Sequence, residues 1–207
     1  MREAELRNAA RALGLRDVAL LDYCDGEFDQ APYATVLSQV VSHIRRVRPH
    51  VVVTFDHNGL YGHPDHIMIS RVATAATVAA ADPAFEPGEA PHAVSKLYYM
   101  VWPEAVREAY EAAFGELVMN IDGVERRAVT WPDWAISTWI DTEDCWETVW
   151  QAISCHQTQL PSYQKLLDLP KAYHRTLWGL QTYHRVFSTV SVPPGVESDL
   201  FAGLREA

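Results

Sequence analysis

Two histidines separated by a Pro-Asp pair are the residues of this chain best suited to chemistry. His63, Asp65 and His66 lie in the stretch YGHPDH, directly after a polar, glycine-containing loop. Imidazole is a common zinc ligand, and two rings three residues apart converge when the first lies on a loop and the second on the first turn of a helix. The positive end of the helix dipole would keep both rings neutral and would also suit an oxyanion. The spacing is therefore compatible with a metal or catalytic site here.

The spacing leaves a second interpretation open, in which the histidines only cap the helix or pack against it. Zinc needs at least a third protein ligand, so a catalytic site requires one more carboxylate, histidine or thiolate from elsewhere in the chain. The carboxylate of Asp65 is predicted to hydrogen-bond a ring nitrogen and so to fix the tautomer of that ring.

Other side chains that are capable of chemistry lie in less informative sequence patterns. Cys155 and His156 are adjacent, so on a helix their side chains diverge by about 100 degrees, which does not suit a nucleophile and its base. We expect them to pack, and we expect packing or surface contacts for His174 and His184. Most of the seven tryptophans should be core. A metal-independent α/β hydrolase is disfavoured because the chain has no GxSxG sequence.

The elements that must position the histidines follow the order helix, strand, helix, strand, loop, helix. This order predicts an α/β fold, a Rossmann-like, mostly parallel sheet with flanking helices. The β-branched run HVVVTFD, residues 50–56, predicts a strand covered on both faces. Sites in open α/β sheets lie beyond the carboxyl ends of the strands, which is where YGHPDH follows.

The segments assigned from periodicity and turn residues extend over the whole chain. The predicted helices cover residues 2–13, 35–48, 64–81, 103–114 and the region around 141–159, with a closing helical turn at 198–204. The predicted strands cover residues 17–23, 50–56, 96–102, 135–141 and 183–192.

Composition restricts the class of protein. A length of 207 residues with 48% hydrophobic and 21% charged residues is typical of a single globular domain, here 1–207. The net charge of -10 opposes binding to nucleic acid or to anionic lipid. Three scattered cysteines predict a reducing, cytoplasmic location. The sequence contains no apolar run long enough to predict a membrane span. The sequence leaves a homo-oligomer open.

A longer stretch around the two histidines resembles a known family. Residues 54–76, TFDHNGLYGHPDHIMISRVATAA, are similar to the second signature of the LmbE/PIG-L family of zinc-dependent N-deacetylases, which act on N-acetylglucosaminyl compounds. The resemblance continues in residues 2–28, in AISCHQTQ at 152–159 and in DLFAGL at 199–204. It implies a hydrolase that removes an acetyl group from a small-molecule amino sugar, with zinc or another divalent metal as cofactor.

The resemblance also implies roles for particular residues. His66 would be a metal ligand. His63 would bind or polarise the carbonyl oxygen of the substrate, and Asp65 would orient His63. Three further residues would lie on the substrate side of the pocket: Tyr61, His156 and Gln159.

The sequence departs from the family pattern at one point. The first signature of the family, Ala-His-Pro-Asp-Asp-Glu or close to it, is absent from these residues. In the family this signature supplies a zinc histidine, a zinc aspartate and the general base. The fold is therefore expected to be N-terminally truncated, and the complete protein rather than this chain alone is expected to be fully active. The alternative is a degenerate, non-catalytic family member that binds a sugar-like ligand or a partner chain.

Overall fold

The computed structural model describes residues 1–86, 88–116, 118–121, 123–163, 165 and 168–205. The chain divides into two compact units. The first comprises Met1–Leu21, Ala105–Leu117 and Ile140–Gln181, and the second comprises Asp22–Glu104, Val118–Trp139 and Thr182–Ala207. The single domain at 1–207 stays a prediction.

Helices and strands alternate through much of the described chain. The helices are α1 (Arg2–Ala12), α2 (Tyr33–Val47), the single turn α3 (Gly59–Gly62), α4 (Pro64–Ala79), α5 (Glu104–Phe114), α6 (Trp146–Ser154) and α7 (Lys171–Trp178). The strands are β1 (Val51–Phe55), β2 (Lys96–Met100), β3 (Val118–Ile121), β4 (Val124–Arg127), β5 (Thr138–Asp141) and β6 (Leu180–Ser188). Among the described residues, no helix is both long enough and apolar enough to span a membrane.

The main sheet has four strands in the order β1-β2-β6-β5. Strands β1 and β2 are parallel, with Val51 opposite Lys96, whereas β2 and β6 are antiparallel, with Tyr99 opposite His184. The α/β class is confirmed, and the sheet is mixed rather than mostly parallel. An apolar run carries no mark of its partner's direction, so the sequence pattern could not reveal the antiparallel strand. A separate antiparallel pair, β3 and β4, was not predicted.

The core next to the candidate site lies between α2, α4 and one face of β1. Val36 on α2 and Val72 on α4 are both 0% exposed, and Val52 of β1 packs against the same helices. Each such buried aliphatic side chain stabilises the fold by about 1.5–3 kcal/mol. This packing fixes the position of β1 relative to α4, and therefore the position of the loop that joins them.

Two predictions about strands are wrong. The segment at residues 17–23 is assigned to no strand, Asp22 within it has a φ of +56°, and Leu20 is 39% exposed. An apolar run becomes a strand only when a neighbour completes its hydrogen bonds. Strand β1 is not covered on both faces, because Val53, on the face opposite Val52, is 45% exposed. The predicted end of α1 is confirmed by Gly14, which has a φ of +70°.

Candidate active site

The loop between β1 and α4 is built around the buried carboxylate of Asp56. This residue follows β1 and is 0% exposed. Its Oδ1 accepts the main-chain N–H of Leu60 at 2.9 Å, and its Oδ2 accepts the indole N–H of Trp131 at 2.8 Å. The main-chain carbonyl of Asp56 also accepts the N–H of Gly59 at 3.0 Å. Asp56 therefore fixes the turn that leads to the histidines and joins it to Trp131.

The turn itself has an unusual backbone. Gly59 and Gly62 have φ angles of +62° and +80°, and Leu60 between them has a φ of +63°. A Cβ atom on Gly59 would lie 2.8 Å from the Cβ of His66, closer than side-chain carbons approach one another. Leu60, with a φ of +63° and a ψ of −52°, lies in a sparsely populated backbone region that costs a residue with a side chain about 1–3 kcal/mol. The hydrogen bonds of Asp56 and the burial of Leu60 offset this cost.

His66 lies on the first turn of α4 with one nitrogen already occupied. Its ring stacks on Phe55, with the ring centroids 3.9 Å apart and the planes 5° from parallel. Its Nδ1 lies 3.2 Å from the carbonyl oxygen of Gly59. Because a carbonyl can only accept, Nδ1 carries the proton and Nε2 of the neutral ring keeps a lone pair.

The electrostatic surroundings of His66 favour that neutral ring. Burial lowers the pKa of His66 below its ordinary value, and the neighbouring His63 ring lowers it further. The carbonyl of Gly59 and the carboxylates of Asp65 and Asp25 act in the opposite direction, and the lowering prevails. A neutral imidazole with a lone pair on Nε2 is the form that binds a metal ion.

His63 has the opposite hydrogen-bonding arrangement. It is the N-cap of α4, and its Nδ1 accepts the main-chain N–H of Asp65 at 3.2 Å. In a neutral ring the proton is then on Nε2, which can donate a hydrogen bond to a substrate oxygen. The ring centroids of His63 and His66 are 4.9 Å apart. The capping interpretation is therefore correct for His63, and capping leaves its second nitrogen able to take part in chemistry.

The contact between Asp65 and His63 differs from the one predicted. The carboxylate of Asp65 accepts the main-chain N–H groups of Gly26 at 2.7 Å and Asp29 at 3.2 Å. It is the main-chain N–H of Asp65, not its carboxylate, that reaches the His63 ring. The carboxylate thus attaches the 25–29 loop to the start of α4, where its charge also suits the helix dipole.

Tyr61 lies beside the two histidines, as expected. Its ring centroid is 5.1 Å from that of His66 and 6.0 Å from that of His63, with both pairs arranged edge to face. The structure thus brings together three of the residues predicted for the site. Their roles stay predictions.

His156 and Gln159 belong to the other compact unit. They form one turn after α6, in which the carbonyl of His156 accepts the N–H of Gln159 at 2.9 Å. The carboxylate of Glu5 fixes the same turn, because it accepts both the N–H of Thr158 at 2.9 Å and its hydroxyl at 2.7 Å. The predicted substrate contacts of His156 and Gln159 stay predictions.

The histidines expected to pack do so. His174 is 5% exposed, and its ring centroid lies 4.5 Å from that of Trp150 and 5.1 Å from that of Trp178. The Nδ1 of His184 lies 2.7 Å from the carbonyl oxygen of Ala135, which fixes that ring in the second unit.

The described side chains do not assemble a complete metal site. Over the described parts of residues 1–205, no three His, Cys, Asp or Glu side chains form a group that could hold a metal ion. Zinc sites use at least three protein ligands. His66, with His63 beside it, offers part of such a set, so we assign no reaction step to a metal.

The residues that support the site were missed in the sequence. They are Phe55 beneath His66, Asp56, Gly59 and Trp131. An aspartate directly after a β-branched run, with Asn-Gly two residues further on, was the available signal for a braced turn. No comparable signal marked Trp131, which lies 75 residues away in the chain.

Solved structures show the same fold. The conserved protein TT1542 of Thermus thermophilus matches 94% of this chain and 76% of its own with a TM-score of 0.63 and 18% identity. GalB, the 4-carboxy-2-hydroxymuconate hydratase of Pseudomonas putida, matches 92% of this chain and 73% of its own with a TM-score of 0.51 and 17% identity. At these identities the likeness defines a fold class and no chemistry.

Sequence comparison identifies the family. The model of the PIG-L family, GlcNAc-PI de-N-acetylase, matches residues 1–77. A 1D-myo-inositol 2-acetamido-2-deoxy-alpha-D-glucopyranoside deacetylase of Geodermatophilus obscurus is 34% identical over 98% of this chain and 76% of its own. The enzyme of the same name from Streptomyces griseus subsp. griseus is 34% identical over 100% of this chain and 70% of its own. This chain belongs to the PIG-L family, and the resemblance inferred from YGHPDH is confirmed.

Proposed function

We propose that this protein hydrolyses the acetamide of an N-acetylglucosaminyl-inositol and releases acetate and the free amine. The observation that carries the proposal is the pair His63 and His66, whose hydrogen bonds leave a donor on one ring and a lone pair on the other. The names of the relatives, which are deacetylases of a 2-acetamido-glucopyranoside of inositol, support the substrate class.

The chemistry needs a donor where negative charge develops. When water adds to the amide carbon, the carbonyl oxygen becomes an oxyanion, and the Nε2–H of His63 is able to stabilise it. The positive end of α4 acts in the same direction. The carbon–nitrogen bond then breaks, the amine nitrogen takes up a proton from the added water, and acetate and the free amine are released. Tyr61, whose ring lies beside both histidines, is the second group that the proposal assigns to the same substrate carbonyl.

The proposal includes a zinc ion with His66 as one ligand. When bound, such an ion would polarise the water and the amide. His66 presents the lone pair that zinc needs, but the described residues do not supply the remaining ligands. Other divalent ions bind similar ligand sets, so the identity of the metal is a separate question for measurement.

A second candidate function is binding without catalysis. The observation that favours it is the lack of a three-ligand group among the described residues. In this case the protein would hold a sugar-like ligand or a partner chain and would not cleave an amide.

The setting of the protein is part of the proposal. A small-molecule amino-sugar substrate fits the named relatives. A cytoplasmic location follows only from the composition of the chain, and a homo-oligomer stays open.

One assay separates the two candidates. The protein, as its gene encodes it, is treated with a chelator, supplied with zinc and incubated with N-acetylglucosaminyl-inositol, and acetate and free amine are both quantified. Equimolar products that appear only with the metal support the deacetylase. Saturable binding of the sugar by the folded protein without any product would contradict catalysis and support the second candidate.

A further inference from the structure

We propose that Asp56 is a positioning residue that sets the tautomer of His66 through the 57–60 turn. Among the described hydrogen bonds, none joins Asp56 to His63 or His66. The carboxylate of Asp56 accepts the N–H of Leu60, and its main-chain carbonyl accepts the N–H of Gly59. The carbonyl of Gly59 then accepts the Nδ1 proton of His66. This inference rests on the proposed function, in which the Nε2 lone pair of His66 is used.

The first step of the argument is that the turn needs an acceptor at this place. Leu60 is only 5% exposed, so its main-chain N–H is buried, and its φ is +63°. A buried N–H without a partner costs free energy, so loss of the Asp56 oxygen would favour a different turn. A different turn would move the carbonyl of Gly59 away from His66.

The second step is that Asp56 is itself held by a distant segment. Its other oxygen accepts the indole N–H of Trp131. The N–H of Val129, two residues earlier, donates to the carbonyl of Leu60 at 2.7 Å. The 129–131 segment therefore supports the turn at two points, and Asp56 is the group that connects this support to β1.

The third step is that the side chain at position 56 must accept a hydrogen bond on each of its two terminal atoms, which a carboxylate can do. The oxygen of an asparagine at position 56 could accept the N–H of Leu60. Its NH₂ group would then face the indole N–H of Trp131, so that two donors would point at each other. Asp56→Asn should therefore displace the turn. Removal of the indole donor as well, in Asp56→Asn/Trp131→Phe, should relieve that conflict while keeping the acceptor for Leu60. The other donor to Oδ2, the side-chain amide of Asn58 at 3.4 Å, can rotate to present its own oxygen to the new amide.

The test is the tautomer of His66, read from its ring ¹⁵N chemical shifts at a pH where the ring is neutral. The wild type and Trp131→Phe should show the proton on Nδ1. Asp56→Asn should show a mixture of tautomers, and Asp56→Asn/Trp131→Phe should restore the Nδ1 form.

A destabilised control separates positioning from general loss of stability. Glu197→Gln removes another buried carboxylate of the same unit, which is bonded to Lys96 at 2.8 Å and does not contact the turn. It should lower the unfolding temperature without changing the His66 tautomer. A folded Asp56→Asn protein with the wild-type tautomer would overturn the proposal.

Two further outcomes remain decisive. If Asp56→Asn does not fold, Asp56→Ala/Trp131→Phe is compared with Asp56→Asn/Trp131→Phe, since these differ in the acceptor for Leu60. Equal tautomer mixtures in both would overturn the proposal. If no protein releases acetate, the proposed function fails, whereas the tautomer series still decides the role of Asp56.

Discussion

At the scale of single residues, the site depends on main-chain groups as much as on side chains. The two histidines differ in what their Nδ1 atoms meet: the carbonyl of Gly59 for His66 and the N–H of Asp65 for His63. Equal residue types therefore have unequal chemistry. The sequence identified both histidines, but it could not show which nitrogen of each ring is engaged.

Gly59 offers a test at this scale. An alanine there would be strained by the φ of +62°, and its Cβ would lie 2.8 Å from the Cβ of His66. We expect Gly59→Ala to lower the free energy of unfolding by about 1–2 kcal/mol and to reduce the deacetylation rate by at least about tenfold, because His66 must move. Urea unfolding and acetate release measure the two effects.

The matched control is Gly123→Ala. Gly123 has a φ of +75°, but a Cβ there would meet nothing within 4 Å. This variant should show a similar loss of stability with an unchanged rate. Equal loss of activity in both variants would mean that backbone strain alone, not displacement of His66, explains the effect.

At the scale of elements, charged side chains fix the ends of helices. Arg45 on α2 is 5% exposed, and its guanidinium donates to main-chain carbonyls at the end of α4 and in the loop after it: Ala80, Asp82, Phe85 and Glu86. In the other unit, Glu5 on α1 fixes the turn that carries His156 and Gln159. The helices themselves were predicted from periodicity, whereas these long-range contacts leave no local pattern.

Glu5 predicts a pH dependence of stability. The hydrogen bond from the Thr158 hydroxyl is the main cause that lowers the pKa of Glu5 below its ordinary value of 4.5. A carboxylate with a lowered pKa stabilises the folded state above that ordinary value, and this contribution is lost as the pH falls further. Glu5→Gln should therefore unfold at a lower temperature than the wild type at pH 7, and the difference should shrink towards pH 4.

Glu3→Gln provides the comparison on the same helix. Glu3 is exposed and forms a surface ion pair with Arg7 at 2.9 Å, which contributes little. Its unfolding temperature should stay close to that of the wild type at both pH values. A difference between Glu5→Gln and the wild type that is equal at pH 7 and pH 4 would contradict the role assigned to the Glu5 carboxylate.

At the scale of the whole molecule, the sequence predicted the fold class better than it predicted how the strands pair. The α/β class, most helices and the position of YGHPDH after a strand followed from local patterns. The antiparallel direction of β6 and the β3–β4 pair did not, although Asp-Gly at 122–123 is a common hairpin sequence.

A buried polar cluster around Glu197 shows why long-range contacts could not be predicted from the sequence. Glu197 accepts hydrogen bonds from Lys96, Tyr98 and Thr138 and pairs with Arg185. Burial alone would raise the pKa of Glu197, but these donors lower it. Its partners lie up to 101 residues away in the chain, and such pairings are set by the tertiary structure.

The most direct measurement of the central claim is acetate release from N-acetylglucosaminyl-inositol by the wild type, His66→Ala and His57→Ala, each with added zinc. His57 lies on the same loop and is exposed, so its variant controls for general effects on that loop. We predict a rate near that of the wild type for His57→Ala and a loss of at least about a hundredfold for His66→Ala. A zinc-dependent rate that His66→Ala leaves unchanged would contradict the assignment of this site.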